Sequence, residues 1–92
     1  MHNAFDLSRP WQLHPQVSVR PEPFGALLYH FGTRRLSFLK DRTLLALVQQ
    51  LREEPSALSA CAAVGLAGPD IPRYERALST LAASAMVIER TP

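Results

Sequence analysis

Three histidines (His2, His14 and His30) and one cysteine (Cys61) are the side chains best suited by type to ligate a metal or attack a substrate. Their spacing argues against both. Successive gaps of 12, 16 and 31 residues give none of the close spacings that place metal ligands together. The paired carboxylates Glu53 and Glu54 fall at a helix end before Pro55, where a solvated pair is expected. No G-x-S-x-G elbow, P-loop or G-x-G-x-x-G occurs. His30 is expected to be a hydrogen-bonded surface histidine, and Cys61, among alanines, a small buried hydrophobe. The expectation is a protein that is not an enzyme and holds no metal.

With catalysis set aside, binding is left, and composition limits its kind. Ninety-two residues form one domain, taken here as 1–92. Ten basic and eight acidic residues leave +2, distributed as +3 over residues 1–42 and −1 over 43–92. That is too mild for a generic nucleic-acid binder. A single cysteine makes no internal disulfide, which suggests a reducing compartment. Neither a signal peptide nor a membrane span is visible, so a cytoplasmic location without membrane contact is expected.

The elements follow from period. Residues 1–12 read as an extended arm with Trp11 as its anchor to the core. Val17 and Val19 alternate with Ser18 and Arg20 as in a strand, and Pro21-Glu22-Pro23 is expected to end its pairing. Ala26–Phe31 and Arg34–Leu39 flank Gly32-Thr33, which predicts a hairpin on a type II′ turn. That turn sets Tyr29 opposite Leu36, Leu28 opposite Ser37 and Leu27 opposite Phe38. Leu27, Tyr29, Leu36 and Phe38 would be the core face, with Leu28, His30, Arg35 and Ser37 on the wetter one.

From Asp41 the period becomes 3.6. Asp41 caps a helix that buries Leu44, Leu47, Val48 and Leu51. Ser56 caps a second helix through Val64, with Leu58, Cys61 and Ala62 inward and Gly65 after its end. Asp70 caps a third, in which Tyr74, Ala77, Leu78, Leu81 and Ala85 recur at helical spacing. Met86-Val87-Ile88 reads as a short strand or docking tail. The fold class is therefore α+β: a three-stranded antiparallel sheet followed by three helices, a winged helix-turn-helix variant.

Such a meander leaves a strand edge open unless the arm, through Trp11 and Leu13, covers it. An extended peptide can add to such an edge. The template would be Arg34, Arg35, Leu36, Ser37, Phe38 and Leu39. Leu36 and Phe38 would floor an apolar pocket, the two arginines would attract acidic residues, and a proline at Ser37 would remove a ladder donor. The second wall would be the third helix, through Arg73, Tyr74, Arg76, Ala77 and Thr80. The competing reading is a small winged-helix DNA-binding regulator. Its third helix would enter the major groove, but Arg73 and Arg76 are balanced there by Asp70 and Glu75.

The stretch Arg9–Val17, the block Arg20-Pro21-Glu22-Pro23-Phe24-Gly25-Ala26-Leu27-Leu28-Tyr29-His30-Phe31-Gly32 and the run Leu36-Ser37-Phe38-Leu39-Lys40 resemble the mycofactocin biosynthesis chaperones. These are PqqD-like recognition elements for ribosomally made, post-translationally modified peptides, and the resemblance spans about residues 5–90. It implies a PqqD-like fold with no catalytic residue and no cofactor of its own. It also implies a ribosomally made precursor peptide as ligand and a radical SAM maturase as second partner, to which iron–sulfur clusters and S-adenosylmethionine belong. That maturase oxidatively decarboxylates the precursor's C-terminal tyrosine and links it to the neighbouring valine. In such domains the leader adds to the third strand and packs on the third helix, which falls here on Arg34–Leu39 and Arg73–Thr80. A monomer or weak dimer is implied, with Phe24-Gly25 as a possible swapping hinge.

Overall fold

A computed structural model describes residues 5–90. Residues 1–4, with His2 and the start of the arm, lie outside that description. Among the described residues there are five strands: β1 (Trp11–Leu13), β2 (Val17–Glu22), β3 (Gly25–His30), β4 (Arg35–Leu39) and β5 (Val87–Glu89). The helices are α1 (Arg42–Gln50), α2 (Ala57–Ala63) and α3 (Ile71–Ala83), with short 3₁₀ turns at Leu51–Glu53 and Gly68–Asp70. β2-β3-β4 form an antiparallel sheet, while β1 pairs with β5 in a separate ribbon. The expected three-stranded sheet and three helices are therefore present.

The β3–β4 register is the expected one, with His30 opposite Arg35, Tyr29 opposite Leu36 and Leu27 opposite Phe38. The turn is not. Residues 31–34 form a four-residue loop in which Arg34, not Gly32, takes a positive φ of 62°. The Arg34 amide donates to the His30 carbonyl at 2.7 Å, so the strand begins at Arg35. Gly32 serves space instead: a Cβ there would lie 2.5 Å from the Gln16 side chain.

The sheet also faces the other way. Ala26, Leu28 and Leu39 join the core with Leu44, Leu47, Val48 and Leu51 of the α1 region, whereas Leu36 and Phe38 are exposed. His30 lies on the inner face and is buried, its Nδ1 accepting from the Gly32 and Thr33 amides at 3.0 and 3.1 Å. It is a core residue rather than a surface one. Val17 and Val19 sit on this same inner face, opposite His30 and Leu28.

Pro21 does not end pairing, because β2 runs on to Glu22 with Pro21 opposite Ala26. The reason lies in ladder parity. The Phe31 amide donates to Gln16 and the His30 carbonyl accepts from Arg34. Odd-numbered residues of β3 therefore bond toward β2 and even-numbered ones toward β4. By the same alternation Pro21 faces away from β3, so its missing N–H breaks nothing.

Asp41 caps α1, accepting from the Thr43 amide at 2.7 Å, and Ser56 caps α2, accepting from the Ser59 amide at 3.0 Å. Gly65 follows α2 at φ 83°. α2 turns Cys61 inward as expected, together with Ala57 and Ala60, but leaves Leu58 and Ala62, also expected inward, exposed. Its smallest side chains let the helix approach the core closely. The arm also claims its first turn, since the Ala57 and Leu58 amides donate to the Arg9 and Leu7 carbonyls. Asp70 does not cap α3; its carboxylate accepts from the Ala67 amide within the preceding 3₁₀ turn. Ala85 lies past the end of α3 at φ 61°.

Candidate functional site

The two edges of the sheet differ in what they offer. On β4 the alternation sends Ser37 and Leu39 into the β3 ladder and leaves Leu36 and Phe38 with N–H and C=O groups directed outward. No described strand pairs with that side. On β2 the outward positions are Val17, Val19 and Pro21. The Val17 amide is already bound to the His14 carbonyl at 2.9 Å, and Pro21 has none. One edge is a continuous template and the other is blunted.

The arm leaves the β4 edge open over its described strand. Trp11–Leu13 pair with Val87–Glu89, and Trp11 is buried with its indole N–H donating to the Asp6 carbonyl. Trp11 is thus the expected anchor, whereas Trp11 and Leu13 do not cover β4. Open space on the β2 side, about 500 Å³ between Leu13–Val19 and the end of α1, lies beside the blunted edge.

The first turns of α3 sit beside the end of β4 because Asp41 ties them there. The Tyr74 hydroxyl donates to the Asp41 carboxylate, and an Arg73 guanidinium nitrogen lies 3.5 Å from the same oxygen. The Arg73 guanidinium also stands 5.3 Å from the centre of the Tyr74 ring. Burial pushes the Asp41 carboxyl up. Bonds from Tyr74, Thr43 and Leu44, together with the Arg73 charge, outweigh it and hold the group below the usual carboxylate range. Tyr74 moves the opposite way, raised by its bond to Asp41, by burial and by the adjacent negative charge.

The expected site residues separate into three groups. Arg35, Leu36, Ser37, Phe38 and Leu39 form β4, with Arg34 in the loop before it. Leu36 and Phe38 do not floor a pocket between sheet and helix, because they project from the outer face; what they give the edge is backbone. Ser37 is half-buried and Leu39 buried on the inner side. Arg73, Ala77 and Thr80 follow at helical spacing on α3, with Arg76 also exposed and Ala77 half-buried. Thr80 donates its hydroxyl to the Arg76 carbonyl. Tyr74 is core rather than lining. The role of Asp41 as the link between β4 and α3 was hidden in the sequence, where only its capping signal shows and its partner lies 33 residues on.

Among the described residues no three histidine, cysteine or acidic side chains gather as metal ligands would. His14 and His30 approach, ring centroids 4.3 Å apart, but each Nδ1 is engaged by backbone amides. Burial pushes the Cys61 thiol up, away from nucleophilic character. Among the described residues no helix is long and apolar enough to cross a membrane.

Residues 10–88 match the profile of the Peptide chaperone MftB family. The chain is 60% identical over 88 residues to "Peptide chaperone MftB" of Mycobacterium tuberculosis, covering 96% of this chain and 81% of that one. It is 52% identical over 89 residues to the protein of the same name from Mycolicibacterium smegmatis, covering 97% and 87% respectively. These relatives are named as chaperones, not enzymes. No solved structure matches the chain.

Proposed function

The chain belongs to the Peptide chaperone MftB family, and on that premise we propose that it binds the leader region of the mycofactocin precursor peptide by strand addition and presents it to a radical SAM maturase. The maturase, with its own iron–sulfur clusters and S-adenosylmethionine, would decarboxylate and cross-link the precursor's C-terminal Val-Tyr pair. The chaperone itself would contribute no reacting group. What carries the reading is the asymmetry of the two sheet edges. β4 offers Leu36 and Phe38 to a new ladder, and Asp41 just beyond its end holds the first turns of α3, while β2 is closed by Pro21 and by the Val17–His14 bond. Strand addition draws affinity from main-chain bonds and choice from side-chain pockets. The adjacent Arg34 and Arg35 would favour acidic leader residues.

Ladder parity also chooses the test. Proline at Ser37 would break the β3–β4 pairing and unfold the site, so it reports on stability. Leu36→Pro removes only an outward N–H, which an edge strand tolerates. A calorimetric titration of the full chain with synthetic precursor should give saturable one-to-one binding. A random DNA duplex, the ligand of the rival reading, should give none. Leu36→Pro should keep the wild-type melting profile and lose at least about tenfold in affinity, since a hydrogen bond worth about 1 kcal/mol goes and the ring blocks the incoming strand. A folded Leu36→Pro variant that binds the precursor as tightly as wild type would falsify strand addition at β4.

A further inference from the structure

Over β3 and β4 the outer face of the sheet is apolar, with Ser18, Arg20 and Glu22 of β2 at its side, and among the described residues no helix covers it. Leu36 and Phe38 are 58% and 59% exposed, opposite Tyr29 and Leu27 of β3, and Phe31 at the hairpin tip is 59% exposed. The Tyr29 and Phe31 rings meet edge-to-face with centroids 5.0 Å apart. Isolated exposed apolar side chains are ordinary, but three exposed ones, Phe31, Leu36 and Phe38, adjoining the half-buried Leu27 and Tyr29 on a single face mark a contact surface. The helices cannot cover it, since they pack on the opposite face with Ala26, Leu28 and Leu39.

We propose that this outer face is where the modifying enzyme docks, through an apolar surface rimmed by carboxylates. The inference rests on the chaperone reading above and names the surface that serves its second partner. Two observations choose the occupant. The first is charge: Arg20 stands on this face opposite Leu27, and Arg34 and Lys40 bracket β4 at its two ends, against the carboxylate of Glu22, which is already paired with Arg20 at 2.9 Å. A second copy would bring like charges together around the apolar centre, whereas an acid-rimmed partner would be drawn in. The second is continuity. A leader strand added to β4 prolongs this same face, and its outward side chains would stand beside Leu36 and Phe38. An enzyme seated here would touch chaperone and leader together.

The test uses Phe31→Glu and Tyr29→Glu, neither of which lies on the β4 edge. Phe31→Ser, which adds no charge, guards against a folding defect. Each full-length variant is titrated with precursor peptide, then with the radical SAM maturase in the presence of saturating peptide, and sedimented alone. The expected result is peptide affinity within about twofold of wild type, maturase affinity reduced about thirtyfold or more as for a central apolar anchor, and a monomer throughout. Unchanged maturase affinity in both Glu variants overturns the proposal. So does a wild-type dimer that Phe31→Glu dissociates, because the face would then belong to a second copy. Wild-type chain that binds no precursor sinks the chaperone reading instead, and maturase binding without peptide then decides the face by itself.

Discussion

The Asp41 carboxylate accepts from the Thr43 amide with one oxygen and from the Tyr74 hydroxyl with the other, so one side chain both starts α1 and fixes α3 beside β4. Asp41→Ala loses the cap and leaves a buried phenol unpaired, a cost of about 1–3 kcal/mol in urea unfolding at pH 7. Asp41→Asn keeps an oxygen for the Thr43 amide and turns an NH₂ toward the Tyr74 hydroxyl oxygen, which can accept from it, so it should cost less. The pH dependence follows from the directions of the two shifts. The depressed Asp41 contributes stability above about pH 4 and loses it as pH falls through its lowered value. The raised Tyr74 contributes below about pH 10 and loses its share as pH rises through its elevated value. Asp41→Asn should therefore flatten the acid limb between about pH 5 and 3; equal acid slopes in variant and wild type would show that the carboxylate charge is idle. The capping half of this was legible, because a polar residue before an apolar 3.6 period has a local meaning. The Tyr74 half was not, because no local rule joins residues 33 apart.

At the scale of elements, period 2 tells which side chains share a face but not which face turns inward. Leu27, Tyr29, Leu36 and Phe38 outweigh Leu28, His30, Arg35 and Ser37 in apolar bulk, and bulk points to the wrong side. The decision comes from the longer set, Val17, Val19, Ala26, Leu28 and Leu39, which is aliphatic and flat enough for α1 to lie on. Helix faces and two of the three caps were readable from spacing. α2 was not, because a run of alanines has little amphipathic contrast to orient it. Gly25 binds two of these elements tightly: its φ is 153°, and a Cβ would fall 2.0 Å from the Leu39 carbonyl oxygen and 2.8 Å from the Asp41 amide. Neither neighbour is a side chain that can swing aside. Gly25→Ala should lower stability by at least about 2 kcal/mol, because β4 and the start of α1 must shift. A melting temperature within a degree of wild type would show that the strand end yields.

For the whole molecule, closure depends on the two ends of the chain. β1 and β5 pair, the His14 amide donates to the Met86 carbonyl, and the Arg90 amide donates to the Pro10 carbonyl. The Arg90 guanidinium reaches the Trp11 carbonyl at 3.1 Å and the Glu54 carbonyl as well. Trp11 lies at the centre of this closure, buried, with the Phe5 ring 4.7 Å away. Trp11→Ala should cost about 3–5 kcal/mol. In a domain whose whole stability is about 5–15 kcal/mol, that should lower the melting temperature by more than about 10 °C. Fluorescence cannot follow this variant, so circular dichroism should, and a melting temperature lowered by only a few degrees would contradict it. A tryptophan in an aperiodic arm signalled an anchor; its pairing with the last strand could not be read, because three-residue strands have too little period to declare themselves.

The unequal edges also bear on how copies of the protein behave in a crowd. A sheet open on both sides is a building block for fibres, since the template edge of one copy can dock on the far edge of the next without limit. Here the far edge ends in a proline ring and a spent amide, so a chain reaction of copies has no second link. A fold with one edge open and the other blunted can carry an unpaired strand without offering its copies a way to stack on it indefinitely.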